Sequence, residues 1–208
     1  MNAGQYFTER PGAASRPQQV SLSLPDVTLA LVTDRGVFAA DRIDPGTHLL
    51  LQEVPSPPPA GDLLDLGCGY GPIACVLAKR SPGATVWAAD VNERALALCA
   101  RNAAAAGLAN VRCVTPDDPS IPPRFAGIWS NPPVRIGKAA LHELLSAWLA
   151  RLAPGGRAYL VAGRNLGADS LHRWLAGQGW PVTRRAARSG YRLLQVEFSA
   201  ERAVVTPP

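Results

Sequence analysis

The pattern of hydrophobic and polar positions changes period once along the chain. This change divides the chain into an N-terminal lead-in and a longer C-terminal part. Residues 20–33 alternate with period two on either side of Pro25-Asp26, which predicts a β-hairpin. The polar residues before it predict a flexible tail over 1–19. Residues 55–61 are rich in proline, so we interpret 20–60 as a β-hairpin lead-in that ends in a hinge.

After residue 60, short apolar runs alternate with helical patterns. The runs predict strands over 63–66, 85–89, 111–114, 127–130, 157–162, 182–188 and 191–198. Helices are predicted over 72–80, 93–106, 139–152 and 169–178. This order predicts an α/β fold with a doubly wound, mostly parallel seven-stranded sheet and an antiparallel C-terminal hairpin. The sheet would occupy 61–199, followed by a tail over 200–208.

Three alternating glycines follow the first of these strands. Gly67, Gly69 and Gly71 form a G-x-G-x-G turn directly after Asp65-Leu66, and a helical pattern starts at Pro72. Glycine permits the positive backbone angles of a tight turn and lets a ligand approach the backbone closely. The amides that begin the next helix carry partial positive charge. The spacing lacks the G-x-x-G step of dinucleotide-binding proteins, so the turn predicts a nucleoside-type ligand of another kind.

The amino-acid composition limits the classes of protein to which this chain can belong. The 208 residues are 47% hydrophobic, enough for one domain with a sizeable core, and carry a net charge of +5 supplied mostly by arginine. No signal peptide or apolar stretch of about 18 residues occurs, so we expect a cytoplasmic protein without a membrane partner. The four cysteines form no C-x-x-C pair and the three histidines are scattered, so no metal site is expected. The positive charge mildly favours a nucleic-acid partner.

Polar residues are predicted at the carboxyl ends of the parallel strands, where such sheets bind ligands. Asp90 ends the second strand about 20 residues after the glycines, as expected for an acid that binds a ribose; capping the next helix is the alternative, and Asn92 can also do that. Asp117 or Asp118 can accept a hydrogen bond from an adenine amino group. Asn131-Pro132-Pro133 ends the fourth strand. No histidine or nucleophile pair accompanies them, which indicates binding and positioning rather than acid–base chemistry.

These residues carry a resemblance to a known family. The segment 65–71 resembles motif I of class I S-adenosylmethionine-dependent methyltransferases, and Asn131-Pro132-Pro133 resembles their motif IV. The segments 34–38, 43–51 and 130–138 are similar to the methyltransferase small domain family, which includes ribosomal RNA guanine-N2 methyltransferases of the RsmC type. The resemblance implies S-adenosylmethionine as cofactor. It assigns cofactor binding to Asp65, Gly67, Cys68, Gly69, Gly71, Asp90, Val91, Asp117 and Asn131.

The resemblance also implies roles at the acceptor side. The Asn131 side-chain oxygen and the Pro132 carbonyl would accept hydrogen bonds from the attacking amine, which makes these two residues the catalytic candidates. Pro133, Val134, Arg135 and Lys138 would contact the substrate. Many relatives have an aromatic residue where this chain has Val134, so base stacking would come from elsewhere. Arg184, Arg185 and Arg188 are candidates for RNA contact or for a solvated edge strand.

The sequence therefore predicts methyl transfer to an exocyclic amino group in RNA, with guanine N2 of 16S ribosomal RNA as the first candidate. The alternatives are adenine N6, a protein glutamine, a small metabolite, or a non-catalytic RNA-binding factor with a relict donor pocket. The glycine spacing disfavours a nicotinamide-dependent oxidoreductase. Some relatives are duplicated whereas this chain has one copy, so its own hairpins or the second subunit of a homodimer would complete the substrate surface.

Overall fold

The computed structural model describes residues 13–198, apart from the Arg135 side chain. Most of the predicted N-terminal tail and all of the predicted C-terminal tail over 200–208 lie outside the described part. Strands β1 (Gln18–Ser23) and β2 (Thr28–Thr33) form the predicted antiparallel hairpin. Leu22 pairs with Leu29 and Val20 with Leu31, and all four side chains are buried on one face. The period-two pattern therefore reflects a hairpin with one buried face.

The lead-in also contains a helix that the sequence interpretation missed. Helix α1 spans Pro45–Glu53, where only an apolar segment of a β lead-in was expected. The Asp44 carboxylate caps its first turn by accepting a hydrogen bond from the Thr47 amide at 3.0 Å. Pro45 suits the first helical position because the amide that proline lacks has no partner there. Leu49, Leu50 and Leu51 are all buried, which holds the helix against the rest of the fold.

The main sheet has the predicted architecture. Its strands are β3 (Ala60–Leu66), β4 (Gly83–Ala89), β5 (Val111–Val114), β6 (Phe125–Ser130), β7 (Leu152–Gly163), β8 (Val182–Arg188) and β9 (Tyr191–Glu197). They are ordered β5-β4-β3-β6-β7-β9-β8. The first five in this order are mutually parallel, and β9 and β8 join as the antiparallel C-terminal hairpin. The prediction of a mostly parallel seven-stranded sheet is confirmed.

Helices cover both faces of this sheet. They are α2 (Pro72–Arg80), α3 (Glu93–Ala105), α4 (Lys138–Leu149) and α5 (Ala168–Gly177). One apolar cluster joins the sheet to α2, α3, α1 and the β1–β2 hairpin, and a second joins it to α4 and α5. The lead-in thus shares a hydrophobic core with the sheet. Helix α4 ends before the predicted position 152 because Leu152 pairs with Phe125 and begins β7.

Within residues 13–198, none of the helices combines the length and the apolar character that crossing a membrane requires.

Candidate active site

The carboxyl ends of β3, β4 and β6 meet at the centre of the sheet. Leu66, the last residue of β3, lies beside Ala89 of β4 and Ser130 of β6. The Ser130 hydroxyl donates to the Leu66 carbonyl at 2.7 Å, and the Gly67 amide donates to the Ala89 carbonyl at 2.8 Å. These bonds fix the glycine turn between the segments that follow β4 and β6.

The three glycines of the turn serve two different purposes. Gly67 and Gly69 have φ of +75° and +55°, and no atom lies within 4 Å of the position that a Cβ would occupy. Side chains there would project into open space, which leaves room for a ligand. Gly71 has φ of +91°, and a Cβ on it would lie 2.6 Å from the Cys99 sulfur of α3. Gly71 therefore allows α2 and α3 to pack closely.

Asp90 connects the glycine turn to the end of β4. Its carboxylate accepts hydrogen bonds from the Gly69 amide at 2.8 Å and from the Asn92 amide at 2.9 Å. Helix α3 is capped by Asn92, whose side chain accepts from the amides of Arg94 and Ala95, so Asp90 is not required for the cap. Burial raises the pKa of Asp90, opposed by its backbone hydrogen bonds. Val91, which follows it, is 41% exposed.

Asp65 and Cys68 lie beneath the turn rather than on its surface. Asp65 is fully buried; its Oδ2 accepts from the Ala74 amide of α2 at 2.9 Å, and its Oδ1 has no hydrogen-bond partner among the described residues. Burial raises the pKa of Asp65 to about 8, against the effect of the Ala74 amide. For Cys68, a contact with Cys99 lowers the pKa, but burial together with the nearby carboxylates of Asp90 and Asp65 outweighs it and raises the value to about 12. The Cys68 thiol is therefore a buried side chain of the core and not a nucleophile.

The turn after β5 contains Asp117 and Asp118, the two residues predicted to bind an adenine amino group. Asp117 is exposed, whereas Asp118 accepts hydrogen bonds from the amide and the hydroxyl of Ser120. The Ser120 hydroxyl lowers the pKa of Asp118. Asp118 thus stabilises its own turn, and Asp117 is the one of the two whose side chain projects into solvent.

Asn131 is held from one side by α1. Its Nδ2 donates to Asp44 Oδ2 at 2.8 Å and to Thr47 Oγ1 at 3.0 Å. An ionised carboxylate only accepts hydrogen bonds, so the amide must present its nitrogen to Asp44. The Asn131 Oδ1 atom receives no donor from the described side chains. The amide oxygen is consequently available at the end of β6.

The prolines that follow form a tight turn. Pro133 has φ −73° and ψ 69°, close to the inverse γ-turn, and the Val134 amide donates to the Pro132 carbonyl at 2.8 Å. One lone pair of the Pro132 carbonyl is therefore occupied and one remains. A short 3-10 helix spans Val134–Ile136, and Lys138 opens α4 as an exposed residue. Val134 is half-buried, and only the backbone of Arg135 is described.

Sequence reasoning missed four residues of this region. Asp44 and Thr47 contact Asn131, and the Tyr191 hydroxyl donates to Asp44 Oδ1 at 3.3 Å. The D-P-G-T sequence at 44–47 is a helix-start signature and was the available signal for α1. Phe38 is the fourth: among described aromatic residues it is the one with an exposed ring, at 43%.

The segment that carries Phe38 lies over the strand ends. The Asn92 side chain donates to the Gly36 carbonyl at 2.9 Å, and the Tyr70 hydroxyl donates to the Arg42 carbonyl at 3.1 Å. These two anchors fix residues 36–42 to the end of β4 and to the glycine turn. Phe38 stands between them, and Ala39 has a positive φ of 52°.

Comparison with known proteins identifies the family. The model of the methyltransferase small domain matches residues 28–195, which include the hairpin strand β2, the glycine turn and Asn131-Pro132-Pro133. The chain belongs to the methyltransferase small domain family. The predicted resemblance to this family is thereby confirmed, and so is S-adenosylmethionine as the donor expected for it.

Individual members of the methyltransferase small domain family differ in length. YbxB of Bacillus subtilis (strain 168) is 34% identical over 195 residues, with 92% of this chain and 97% of that protein covered. Ribosomal RNA small subunit methyltransferase C of Pseudomonas aeruginosa (strain UCBPP-PA14) is 34% identical over 197 residues, covering 93% of this chain and 57% of that one. The chain thus spans about half the length of this second kind of relative.

A solved structure supports the fold. The Thermus thermophilus 16S rRNA N2 methyltransferase RsmC, in complex with AdoMet and guanosine, superimposes with a TM-score of 0.73 at 24% identity. The match covers 91% of this chain and 52% of that one. This likeness places the fold of this methyltransferase small domain protein among Rossmann-like methyltransferases.

Proposed function

We propose that this protein transfers a methyl group from S-adenosylmethionine to an exocyclic amino group in RNA, with guanine N2 of 16S ribosomal RNA as the first candidate. The observation that carries the proposal is the Asn131 amide, whose nitrogen is bound by α1 and whose oxygen is left free. It lies at the end of β6, next to the glycine turn. The positive charge and the similarity to ribosomal RNA methyltransferases support RNA in the cytoplasm.

The donor side fits S-adenosylmethionine. The open space at Gly67 and Gly69 would admit the ligand next to the backbone, and Asp90 would bind the ribose hydroxyls in addition to its two amides. Val91 and Asp117 would contact the adenine, while the buried Asp65 and Cys68 would support the turn. When bound, S-adenosylmethionine supplies an electrophilic methyl group, so the protein has mainly to align the acceptor.

The acceptor side fits an aromatic amine. The lone pair of such an amine is delocalised into its ring, and two acceptors bonded to its hydrogens would direct that pair toward the methyl group. Asn131 Oδ1 and the remaining lone pair of the Pro132 carbonyl are the candidates, and both would act most strongly in a water-poor pocket. No covalent nucleophile is needed for this reaction.

The base would be held by other residues. Pro133 and Val134 would provide apolar contacts, and Arg135 and Lys138 would approach the RNA backbone. Because Val134 has no aromatic ring, we assign base stacking to Phe38, the exposed ring on the segment 36–42. Base–aromatic stacking contributes about 1–3 kcal/mol.

The surrounding arginines separate into two kinds. Arg184 donates to Asp169 and Arg185 to Gln195, so these two support the edge of the sheet. Arg188 is exposed at the end of β8, beside Tyr191 in the ladder, and is the better candidate for RNA contact. Since the RsmC relatives are about twice as long, we expect a second subunit to extend the RNA surface.

The proposal is tested with Asn131→Ala. Donor affinity, measured by calorimetry, should change less than about threefold, and methyl transfer to RNA from cells that lack the protein should fall at least about a hundredfold. Nucleotide mapping of RNA from those cells would identify the target. Loss of one N2-methylguanosine supports the first candidate, and loss of an N6-methyladenosine would replace it. Wild-type methylation by the variant would contradict the role of Asn131.

A further inference from the structure

A carboxylate on the lead-in helix faces the predicted acceptor-binding amide. Asp44 precedes α1, and its Oδ2 receives both the Thr47 amide at 3.0 Å and the Asn131 Nδ2 at 2.8 Å. Its Oδ1 receives the Tyr191 hydroxyl of β9 at 3.3 Å. Three elements far apart in sequence thus converge on one side chain.

The side chains around Asp44 are closely packed. A Cβ on Gly46 would lie 2.6 Å from the Tyr191 ring and 2.9 Å from Asp44 Oδ2, so the ring sits directly over the first turn of α1. Thr47 is only 4% exposed, and its hydroxyl is the second acceptor for Asn131 at 3.0 Å. Both hydrogens of the Asn131 amide are therefore engaged by α1.

The two ends of an amide have opposite hydrogen-bonding character. If Asn131 turned by 180° about its last torsion, Nδ2 would face the acceptor amine, and two donors would oppose each other. Nothing in the chemistry of asparagine alone selects the productive orientation. An acceptor fixed opposite Nδ2 does select it, and Asp44 Oδ2 is that acceptor, because the donating Thr47 amide binds the same atom.

We propose that Asp44 is a positioning residue: with the Thr47 hydroxyl it holds the Asn131 amide so that Oδ1 points to the acceptor amine. This inference rests on the proposed function, because it assumes that Asn131 binds that amine. It also gives the lead-in a role in catalysis, since without α1 the amide would be free to rotate.

The capping function of Asp44 has to be separated from its contact with Asn131. Serine caps helices as well as aspartate does, but its hydroxyl is one bond closer to the backbone. Asp44→Ser should therefore keep the cap and lose the Asn131 contact. Asp44→Asn should keep both, because the Thr47 amide can only donate and would hold the new amide oxygen at the Oδ2 position, while the new nitrogen donates to the Tyr191 hydroxyl. Thr47→Val and Thr47→Ser form a second matched pair for the hydroxyl.

The experiment compares these variants in two measurements. With RNA from cells lacking the protein, Asp44→Ser and Thr47→Val should each lower kcat about tenfold at unchanged donor affinity, and Asp44→Asn and Thr47→Ser should stay within about threefold of wild type. By NMR, the Asn131 side-chain amide hydrogens should exchange at least about tenfold faster in Asp44→Ser than in wild type or Asp44→Asn.

The outcomes distinguish this inference from the proposed function. If Asn131→Ala is inactive but Asp44→Ser keeps wild-type kcat and amide exchange, the positioning role is wrong and the proposed function stands. If Asn131→Ala methylates RNA normally, the proposed function fails whatever the NMR result. An equal loss in Asp44→Ser and Asp44→Asn would also overturn the inference, because it would point to the charge rather than to an oriented acceptor.

Discussion

The Nδ2 atom of Asn131 lies 2.8 Å from Oδ2 of Asp44, a residue 87 positions earlier in the chain. The contact joins the residue after β6 to the residue before α1. It also joins the side chain predicted to bind the acceptor amine to a part of the fold that the core motifs do not include. The chemistry of the site therefore depends on the lead-in, and this dependence can be tested from both sides.

Asn131→Asp should create a repulsive carboxylate pair. The new carboxylate would face Asp44, and like charges at this distance disfavour the ionised form of one of them, so its pKa rises. The free energy of unfolding should then fall as the pH rises from about 4 to about 8, relative to wild type. Urea melts at pH 5 and pH 8 check this. Adding Asp44→Asn should reduce the difference; equal effects at both pH values would contradict the contact.

Gly46→Ala should destabilise the protein and impair methyl transfer. Its Cβ would lie 2.6 Å from the Tyr191 ring, and overpacking of this kind costs about 1–3 kcal/mol. Gly177→Ala is the matched control, because no atom lies within 4 Å of that Cβ and the residue is helical. It should be neutral or stabilising by up to about 1 kcal/mol. Thermal melts that rank the two variants the other way would refute the packing argument.

The sheet was predictable because its pattern is local. Parallel strands buried on both faces appear as short apolar runs, and the residue that ends each run lies at the ligand-binding edge. Asp90 and Asn131 were found in this way, as was the glycine turn. Each is identified by its position relative to its own strand, so no tertiary information was needed.

The anchoring of Asn131 was not predictable in the same way. Its partners Asp44 and Thr47 come from a helix whose Pro45-Gly46 start resembles a turn, and the pairing spans more than 80 residues. The occupied carbonyl of Pro132 depends on one backbone angle, the ψ of 69° at Pro133. Residue types and spacing do not determine such features, because they follow from how the elements pack.

Asp65→Asn should remove part of the pH dependence of stability. Burial raises the pKa of Asp65 to about 8 in the folded protein, whereas an unfolded aspartate titrates near about 3.9. The folded state therefore binds the proton more tightly than the unfolded state does. Between about pH 4 and about pH 8, the free energy of unfolding of the wild type should fall as the pH rises, by up to about 1.4 kcal/mol per pH unit. Urea melts should show a flatter profile for the variant. Parallel profiles would show that Asp65 ionises normally.

Phe38→Ala should weaken RNA binding without affecting the fold. Phe38 is 43% exposed, so losing its ring should lower the free energy of unfolding by only about 1–2 kcal/mol, while a missing stacking contact should lower RNA affinity about tenfold or more. Leu166→Ala is the control, since that residue is 50% exposed but has no aromatic face. Filter binding of the RNA and calorimetry with the donor separate the effects. Phe38→Tyr should restore binding; a loss confined to donor affinity would assign the ring to the donor instead.

Gly69→Ala and Gly71→Ala should fail for different reasons, although the two glycines are neighbours in one motif. At Gly69 the Cβ would project into open space, so the variant should fold with about 1–2 kcal/mol of backbone strain and lose donor affinity.

At Gly71 the same carbon would lie 2.6 Å from the Cys99 sulfur and 3.2 Å from its Cα, so packing of α2 against α3 must change. Thermal melts should therefore show the larger loss for Gly71→Ala, and Cys99→Ala should recover part of it by removing the sulfur. Calorimetric titration of Gly69→Ala should show weaker donor binding at a nearly normal melting temperature. If Gly69→Ala instead bound the donor as wild type does, the open space at that position would not belong to the donor site.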